Sequence, residues 1–321
     1  MDRLLCGIDI GGTKSYAVLF DRRGNVAARR ISRGSTPIDL GNDEMISIYR
    51  DAVKGIFELS GPRVIESVYI SAAAYELYPR FMSEAFGKII AEACDEKGQS
   101  LKPVVRIEPD GLCLISAELG HTDGGGLICG TGSALFVRRG DESYRIGGWG
   151  YYFGSVGSGF QLARKAIQTA FKSYDGLIGP TVLTELLSQK AGCPLSEHYA
   201  ALYRGGRAYV ASFADCLFKA AAMGDEAAVE IFRSSARELA QLPAEARKRE
   251  GSGFKIVMNG GIFSNYPDYA AEVIRLSPPD IEFIVGQTPP IYGCAAEAMH
   301  QLGADNLCDG TFRSNFISTL N

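Results

Sequence analysis

The chain has 321 residues, of which 46% are hydrophobic and 22% charged, and its formal net charge is -4. At roughly 150 residues per domain, this length predicts two domains with a substantial buried core. The mild negative charge argues against a nucleic-acid-binding protein, which needs clustered Lys and Arg on its binding face. No run of about 18 mainly apolar residues is present, so we expect no membrane-spanning helix.

Cysteine and glycine usage narrows the class of protein further. The first residues contain too short an apolar run and too early an acid, Asp9, for a signal peptide. The eight cysteines never form a CxxC pair, which favours reduced thiols and a cytoplasmic location. With 38 glycines among 321 residues, the glycine content is well above the usual share of roughly 7%. They indicate many tight turns or close approaches of backbone to a ligand.

The first third of the chain alternates strand-like and helix-like segments. Hydrophobic periodicity predicts three strands, then a helix, a strand, a helix and a strand, which implies a mixed sheet with helices packed against it. The predicted segments are 4–10, 15–20 and 26–32 (strands), about 45–57 (helix), 64–71 (strand), 80–96 (helix) and 104–108 (strand).

The pattern then restarts. Residues 126–140 repeat the order found in residues 8–24: an apolar strand, a Gly/Thr turn, a second apolar strand and then Arg-Arg-Gly. The spacing of the two turns is too long for a solenoid repeat and suits two copies of one domain. The remaining predicted segments are 159–174, 181–190, 208–223 and 225–249 (helices), 254–258 and 281–285 (strands), and 291–302 (helix).

The first glycine turn joins an acid to exposed backbone. Asp9 precedes Gly11, Gly12, Thr13 and Lys14, and N–H groups exposed in such a turn form an anion site. The acid can hold Mg²⁺ through water, although a plain hairpin turn with a capping Asp is the alternative. A P-loop is excluded, because Thr13 separates Gly12 from Lys14 and a strand, not a helix, follows.

Two later turns have similar chemistry. Gly130, Thr131, Gly132 and Ser133 follow an apolar strand, and two matching turns on repeated halves predict a phosphate chain held between the domains. A third turn, at Gly260 and Gly261 after a buried strand, suits close approach of a flat ligand. By itself, a turn of this kind is more often a simple turn than a binding site.

Two further residues have alternative interpretations. Asp110 ends a strand before a helix, where a carboxylate can accept a proton from a hydroxyl or simply cap the helix that begins near Gly111. Trp149, within the Gly-rich run 147–150, either stacks on a sugar or fills the core. The histidines His121, His198 and His300 lack metal-ligand spacing.

In this order, the turns resemble those of the actin/hexokinase/Hsp70-like ATPase superfamily, and within it the N-acetylglucosamine kinase branch, grouped with the BadF/BadG/BcrA/BcrD ATPases. The resemblance implies an α/β fold of two repeated actin-like (ribonuclease H-like) domains with an interdomain cleft. The expected domains are 1–118, joined by the C-terminal helix at about 291–321, and 119–290. Residues 7–14 match the first phosphate loop, 130–133 the second and 258–263 the adenosine loop.

The resemblance also implies a function. It implies ATP-dependent phosphoryl transfer to the C6 hydroxyl of a sugar or amino sugar, with Asp110 as general base and Asp9 linked to Mg²⁺ through water. Its implied partners are ATP and a small sugar, with no nucleic acid or membrane, and a homodimer is expected. The implied ATP-binding residues are Gly11, Gly12, Thr13, Lys14, Gly130, Thr131, Gly132, Ser133, Gly260 and Gly261. The implied sugar-binding residues are Thr36, Asp110, Thr131, Gly148, Trp149 and Ser155.

The sequence differs from that branch at positions expected to bind the sugar, so the identity of the acceptor sugar stays open. Ser155 and Val156 stand where the branch has Asp-Glu, and the loop 33–39 lacks the usual Asn. One alternative is an ATPase of the BadF/BcrA type that drives electron transfer through an iron–sulfur cluster between subunits. Cys129 lies beside the second loop, but no matching partner motif is present. Another alternative is a catalytically silent sugar sensor.

Overall fold

The computed structural model describes residues 3–12, 14–34, 40–305 and 309–320. The chain divides into two compact units. The first unit comprises Met1–Asp123, Arg138–Tyr144 and Gly286–Asn321, and the second comprises Gly124–Val137 and Arg145–Val285. The described residues form two five-stranded sheets flanked by helices, which confirms the predicted α/β class.

Three consecutive strands occur twice along the chain, and helices separate the strands that follow each set. The strands are β1 (Arg3–Ile10), β2 (Lys14–Phe20), β3 (Val26–Arg33), β4 (Val64–Ala72), β5 (Val104–Pro109), β6 (Gly124–Cys129), β7 (Ser133–Arg139), β8 (Glu142–Gly147), β9 (Lys255–Asn259) and β10 (Glu282–Val285). The helices are α1 (Asn42–Glu58), α2 (Pro79–Glu96), α3 (Leu112–Leu119), α4 (Gly150–Phe153), α5 (Gly159–Tyr174), α6 (Val182–Ala191), α7 (Leu195–Arg204), α8 (Gly206–Ala211), α9 (Ala214–Ala222), α10 (Glu226–Glu250), α11 (Gly261–Asn265), α12 (Pro267–Leu276), α13 (Pro290–His300) and α14 (Gly310–Leu320).

The first sheet has the strand order β3-β2-β1-β4-β5. Strands β1, β2 and β3 pair antiparallel, whereas β1, β4 and β5 run parallel to one another. Strand β4 is buried along almost its whole length, as expected for a parallel strand covered on both faces. The sheet therefore has two hydrophobic cores, one on each face.

Different helices form these two cores. On one face α1 and α2 pack together, and the rings of Tyr49 and Phe86 stack 4.4 Å apart between their centroids. On the other face α13 covers β1 and α14 packs against β3, and the rings of Phe312 and Phe316 in α14 meet Phe20 of β2 edge to face. The tail after Gly303, which has weak sequence periodicity, thus includes a helix whose aromatic residues belong to the core of the first unit.

The second sheet has the order β10-β9-β6-β7-β8, with β6, β9 and β10 parallel. The single helix predicted over 208–223 is two helices, α8 and α9. The Ser212 hydroxyl donates a hydrogen bond to the carbonyl of Tyr209 at 2.6 Å, and such local bonds compete with helix continuation. Strand β8 and helices α4, α7, α11, α12 and α14 were not predicted. Among the described residues, no helix is long and apolar enough to cross a bilayer.

Candidate functional site

Three parallel strands of the first unit end at the same edge of the sheet. Ile10 pairs with Ala72, and Ala72 pairs with Pro109. Asp9 is the penultimate residue of β1, and Asp110 follows directly after β5. In open α/β sheets the carboxyl ends of parallel strands are where ligands bind. The two predicted functional acids therefore lie at a position where a ligand is expected.

The Asp9 carboxylate is anchored to the neighbouring strand. It accepts a hydrogen bond from the hydroxyl of Ser71, with 3.2 Å between Oγ and Oδ1. Burial raises the pKa of Asp9 to about 6, although the Ser71 hydrogen bond and the charge of Lys14 act in the opposite direction. The ionised carboxylate is thus costly at neutral pH, and a nearby cation would stabilise it.

The surroundings of Asp9 fit a magnesium ion that is bound together with a nucleotide. Among the described residues, no group of three or more His, Cys, Asp or Glu side chains could hold a metal ion. Mg²⁺ retains several waters and is commonly held by one or two carboxylates together with substrate phosphates. A single, poorly compensated carboxylate such as Asp9 suits that mode of binding.

Asp110 is not the cap of the following helix. Helix α3 begins at Leu112, its N-cap position is Gly111, and no side chain caps it. Burial and the nearby carboxylates of Asp9 and Glu76 raise the pKa of Asp110 to about 7, against the effect of hydrogen bonds from its own backbone N–H and that of Gly111. A general base works best when its pKa lies near the operating pH, so these surroundings suit proton abstraction.

The structure describes part of the first phosphate turn, namely Gly11, Gly12 and Lys14. The N–H of Gly11 donates to the carbonyl of Lys14 at 3.1 Å, which closes the turn. Gly12 and Lys14 are exposed. Thr13, which was predicted to bind phosphate, and Thr36, which was predicted to bind the sugar, lie outside the described residues.

The backbone beside this edge has an unusual conformation that the sequence does not reveal. Ala74 has a φ of 63° and is the one non-glycine residue in the left-handed region among the described residues. It leads into a 3₁₀ turn at Tyr75–Leu77, which carries Glu76. Strained backbone of this kind is concentrated at functional sites. Ser71 and Glu76 are the site residues of the first unit that sequence reasoning missed.

The second phosphate turn is held by its own backbone. The N–H of Gly130 donates to the carbonyl of Gly132 at 2.8 Å, and the Gly130 carbonyl accepts from Gly159 at 2.8 Å. The Thr131 carbonyl accepts from Phe160 at 3.2 Å. The Ser133 hydroxyl donates to the carbonyl of Val156 at 2.6 Å, so this hydroxyl ties the turn to the following loop.

The third turn requires glycine. Gly260 has a φ of 117°, and a Cβ built there would lie 2.4 Å from the carbonyl oxygen of Cys129. Gly261 begins α11. The second and third turns thus lie side by side in the second unit, although the sequence places them far apart.

A cavity opens beside these two turns. Its volume is about 460 Å³, which is in the range of small-molecule sites. The predicted residues Gly130, Thr131 and Gly261 line it together with Ser212, Asp215 and Tyr266. Sequence reasoning missed the last three, because hydrophobic periodicity does not show which residues of a segment border a cavity.

Trp149 does not fill the core. Its side chain is 63% exposed, and the guanidinium carbon of Arg145 lies 4.7 Å from its ring centroid. The predicted residue Gly148 has a φ of 72° and donates its N–H to the carbonyl of Gly154 at 2.9 Å. Ser155 lies against the second phosphate turn, because a Cβ on Gly132 would lie 3.4 Å from its hydroxyl.

Cys129, which the electron-transfer alternative would use as a cluster ligand, is fully buried. Burial raises the pKa of its thiol well above the ordinary value, and its Sγ lies 3.5 Å from the carbonyl oxygen of Gly157. A buried thiol packed against its own unit does not favour a cluster shared between subunits.

Known proteins resemble the chain over nearly its full length. The model of the BadF/BadG/BcrA/BcrD ATPase family matches residues 6–294. An N-acetyl-D-glucosamine kinase of Dictyostelium discoideum is 24% identical over 314 residues, 92% of this chain and 98% of that protein. A glucosamine kinase of Vibrio cholerae is 26% identical over 307 residues, 94% and 98% of the two chains. The crystal structure of a candidate N-acetylglucosamine kinase from Chromobacterium violaceum superposes with a TM-score of 0.68 at 20% identity, covering 91% of this chain and 98% of that one.

Proposed function

The chain belongs to the BadF/BadG/BcrA/BcrD ATPase family, and on that premise we propose that it is an ATP-dependent kinase of a sugar or amino sugar. The observation that carries the proposal is Asp110. It follows directly after a parallel strand, leaves the helix uncapped, and has a pKa raised to about 7. The kinase names of the two relatives support the same class of reaction.

In the proposed reaction, Asp110 removes the proton from a sugar hydroxyl, and the resulting oxygen attacks the γ-phosphorus of ATP while the bond to ADP breaks. The backbone N–H groups of Gly12 and Thr131 and the charge of Lys14 stabilise the phosphates. Catalysis of this kind depends on positioning and charge stabilisation. We assign the cavity beside Gly130 and Gly261 to the nucleoside. Trp149 and Ser155 would contact the sugar.

Asp9 is the residue proposed to hold Mg²⁺ through water. The ion bound with ATP would offset the negative charge of the phosphates. Asp9 itself would orient the hydration shell, and Ser71 would fix the carboxylate by its hydrogen bond. The homodimer stays a prediction from the resemblance, and the cytoplasmic location stays a prediction from the cysteine usage.

The test is ADP release by the full-length protein with glucose, glucosamine, N-acetylglucosamine, N-acetylmannosamine and N-acetylmuramic acid as acceptors. We expect at least one sugar to raise ADP release well above the rate without acceptor, with formation of the sugar phosphate. If no sugar does so while ATP still binds, the kinase proposal is wrong. Brown colour and absorbance near 400 nm after anaerobic purification would instead favour the electron-transfer alternative.

A further inference from the structure

Two buried thiols lie close to the strand ends that carry Asp9 and Asp110. Cys113 is in the first turn of α3 and Cys294 is on α13, and both side chains are buried. A hydrogen bond joins the two thiols. The proposed reaction gives neither thiol a role, although polar contacts connect both of them to the strands that end at the candidate site.

The contacts of Cys113 lead to both acids. Its thiol donates to the backbone carbonyl of Asp110, with 3.0 Å between Sγ and the oxygen. The same Sγ lies 3.3 Å from the hydroxyl oxygen of Ser71, and this hydroxyl donates to Asp9 at 3.2 Å. One thiol therefore connects the residue that follows β5 with the side chain that holds the Asp9 carboxylate.

Cys294 extends this connection to β1. Its Sγ lies 3.7 Å from the carbonyl oxygen of Ile8, the residue before Asp9. The pair of thiols thus has polar contacts near the ends of all three parallel strands, namely β1, β4 and β5. The relative placement of these strand ends sets the placement of the two acids.

The surroundings hold Cys113 in place and keep it neutral. A Cβ on Gly293 would overlap the carbonyl oxygen of Cys113, so α13 and α3 cross in backbone contact at this point. The hydrogen bond with Cys294 lowers the pKa of the Cys113 thiol. Burial, together with the charges of Asp9 and Asp110, outweighs that effect and raises the pKa above its ordinary value. Cys113 therefore stays a protonated donor at neutral pH and adds no negative charge beside the two carboxylates.

We propose that Cys113 is a positioning residue for the phosphoryl transfer, which holds the Asp110 backbone and the Ser71–Asp9 pair at a fixed separation. The inference rests on the proposed kinase function. A general base must lie within hydrogen-bond reach of the hydroxyl from which it removes the proton. A small displacement of such a group lowers turnover steeply. The thiol itself touches no substrate and acts only through Asp110 and Ser71.

Three substitutions separate the hydrogen bonds of Cys113 from its volume. Cys113→Ser keeps a donor and an acceptor, Cys113→Val fills the space without either, and Cys113→Ala removes the group. At saturating MgATP and acceptor sugar, we expect Cys113→Val and Cys113→Ala to lower kcat about 10- to 100-fold, the scale on which misplaced catalytic groups act. The KM for ATP should change little. Cys113→Ser should retain most of the kcat of the unaltered protein.

The matched control is Cys94→Val. Cys94 is a buried thiol on α2 of the same unit, in the core on the opposite face of the sheet, so its replacement should leave kcat unchanged. Equal kcat in Cys113→Val and Cys113→Ser would overturn the inference, as would an equal loss of kcat in Cys94→Val and Cys113→Val. If Cys113→Val does not fold, Cys113→Ala replaces it in both comparisons.

Hydrogen exchange of the ligand-free protein tests the positioning without turnover. We expect Cys113→Val to speed amide exchange in residues 69–74 and 107–116, and Cys94→Val to leave both segments unchanged. Unchanged exchange there in Cys113→Val would overturn the inference.

The two readouts distinguish this inference from the kinase function. Faster exchange in Cys113→Val, with no sugar phosphorylated by the unaltered protein, would contradict the kinase function and leave the hold of Cys113 on the two acids standing. Unaltered kcat in Cys113→Val would overturn the positioning role and leave the kinase function standing.

Discussion

At the residue scale, the first unit uses buried carboxylates in two opposite ways. Asp110 lies near two other carboxylates, and its pKa rises to about 7. Glu297 is fully buried and pairs with Arg138 at 2.7 Å and with His121 at 2.9 Å. Burial alone would raise the pKa of Glu297, but the His121 hydrogen bond, the Arg138 charge and a hydrogen bond from Ser116 lower it to about 2. The surroundings of Asp110 therefore suit proton transfer, whereas the ion pairs of Glu297 suit stabilisation of the fold.

Replacement of Asp110 distinguishes a catalytic role of this residue from a structural one. Asp110→Asn should lower kinase turnover about 10²- to 10⁴-fold, the usual contribution of a general base, and leave ATP affinity unchanged by calorimetry. The ionised carboxylate costs folding free energy above pH 7, because its folded pKa exceeds the ordinary 3.8. Denaturant titration should therefore show the variant to be more stable at pH 8, with the gain shrinking as the pH falls toward 4. The control is Asp95→Asn, on the exposed surface of α2; lost stability in Asp110→Asn would point to a structural role instead.

Glu297 gives the opposite pH dependence. Glu297→Gln should lower the free energy of unfolding by about 3–5 kcal/mol at pH 7, because it leaves the buried Arg138 poorly compensated. Its folded pKa of about 2 lies below the ordinary 4.5, so the stabilisation is present above pH 4.5 and is lost as the pH falls from 4.5 to 2. Urea unfolding at pH 7 and pH 3 should show the difference between variant and parent shrink.

The matched control for that measurement is Glu282→Gln. Glu282 forms an exposed pair with Lys255 at 3.2 Å, and such pairs contribute about 0–1 kcal/mol. A loss in Glu297→Gln no greater than this control would show that the buried pair does not stabilise the unit.

At the element scale, the strand–turn junctions were the part of the site that the sequence could predict. Gly130, Gly260 and Asp110 follow apolar runs, and turn chemistry marks such positions regardless of tertiary structure. Ser71 could not be found this way, because its role comes from the pairing of β4 with β1. Ser212 and Asp215 border the cavity at and just after the break between α8 and α9, inside the segment predicted as one helix over 208–223. The residues brought to the candidate site by packing were therefore missed, whereas local turn chemistry marked the turn residues as candidates.

The Gly260 junction gives a test at this scale. Gly260→Ala places a side chain at a φ that favours glycine and also brings its Cβ into a clash with the Cys129 carbonyl. The free energy of unfolding should therefore fall by more than about 3 kcal/mol, which is the upper end for backbone strain alone. ATP affinity should fall with it. Gly224→Ala is the control, since Gly224 also has a positive φ, 81°, but no atom within 4 Å of the added Cβ. That variant should lose about 1–2 kcal/mol, and equal losses in calorimetry would contradict the close approach.

At the scale of the whole molecule, the family and the α/β fold class were predictable from the sequence, and the matching family model confirms the resemblance. The assignment of residues 138–144 to the first unit was not anticipated. This segment interrupts the second unit only briefly, and it contains buried Arg138, whose partners Glu108 and Glu297 belong to the first unit and lie far away in the chain. Local periodicity contains no signal for such a long-range ion pair.

Helix α14 can be tested as part of the first unit. Phe316 is fully buried, with its ring 5.7 Å from Phe20 and 5.5 Å from Tyr292. Phe316→Ala should cost about 3–5 kcal/mol, measured by thermal and urea unfolding. Ser314→Ala, on the exposed side of the same helix, should change stability by less than about 0.5 kcal/mol. Similar values for the two variants would mean that α14 adds nothing to the core.

The packing of α13 and α14 against the first sheet has a consequence for synthesis on the ribosome. Strand β1 is among the first parts of the chain to emerge, but one face of its sheet is covered by residues made some 280 positions later, as in the contact of Cys294 with the carbonyl of Ile8. The second unit, whose segments end at Val285, is complete before that cover exists. Nascent chains should therefore acquire a protease-resistant second unit first, while the earlier-made sheet remains exposed to chaperones until translation has passed α14.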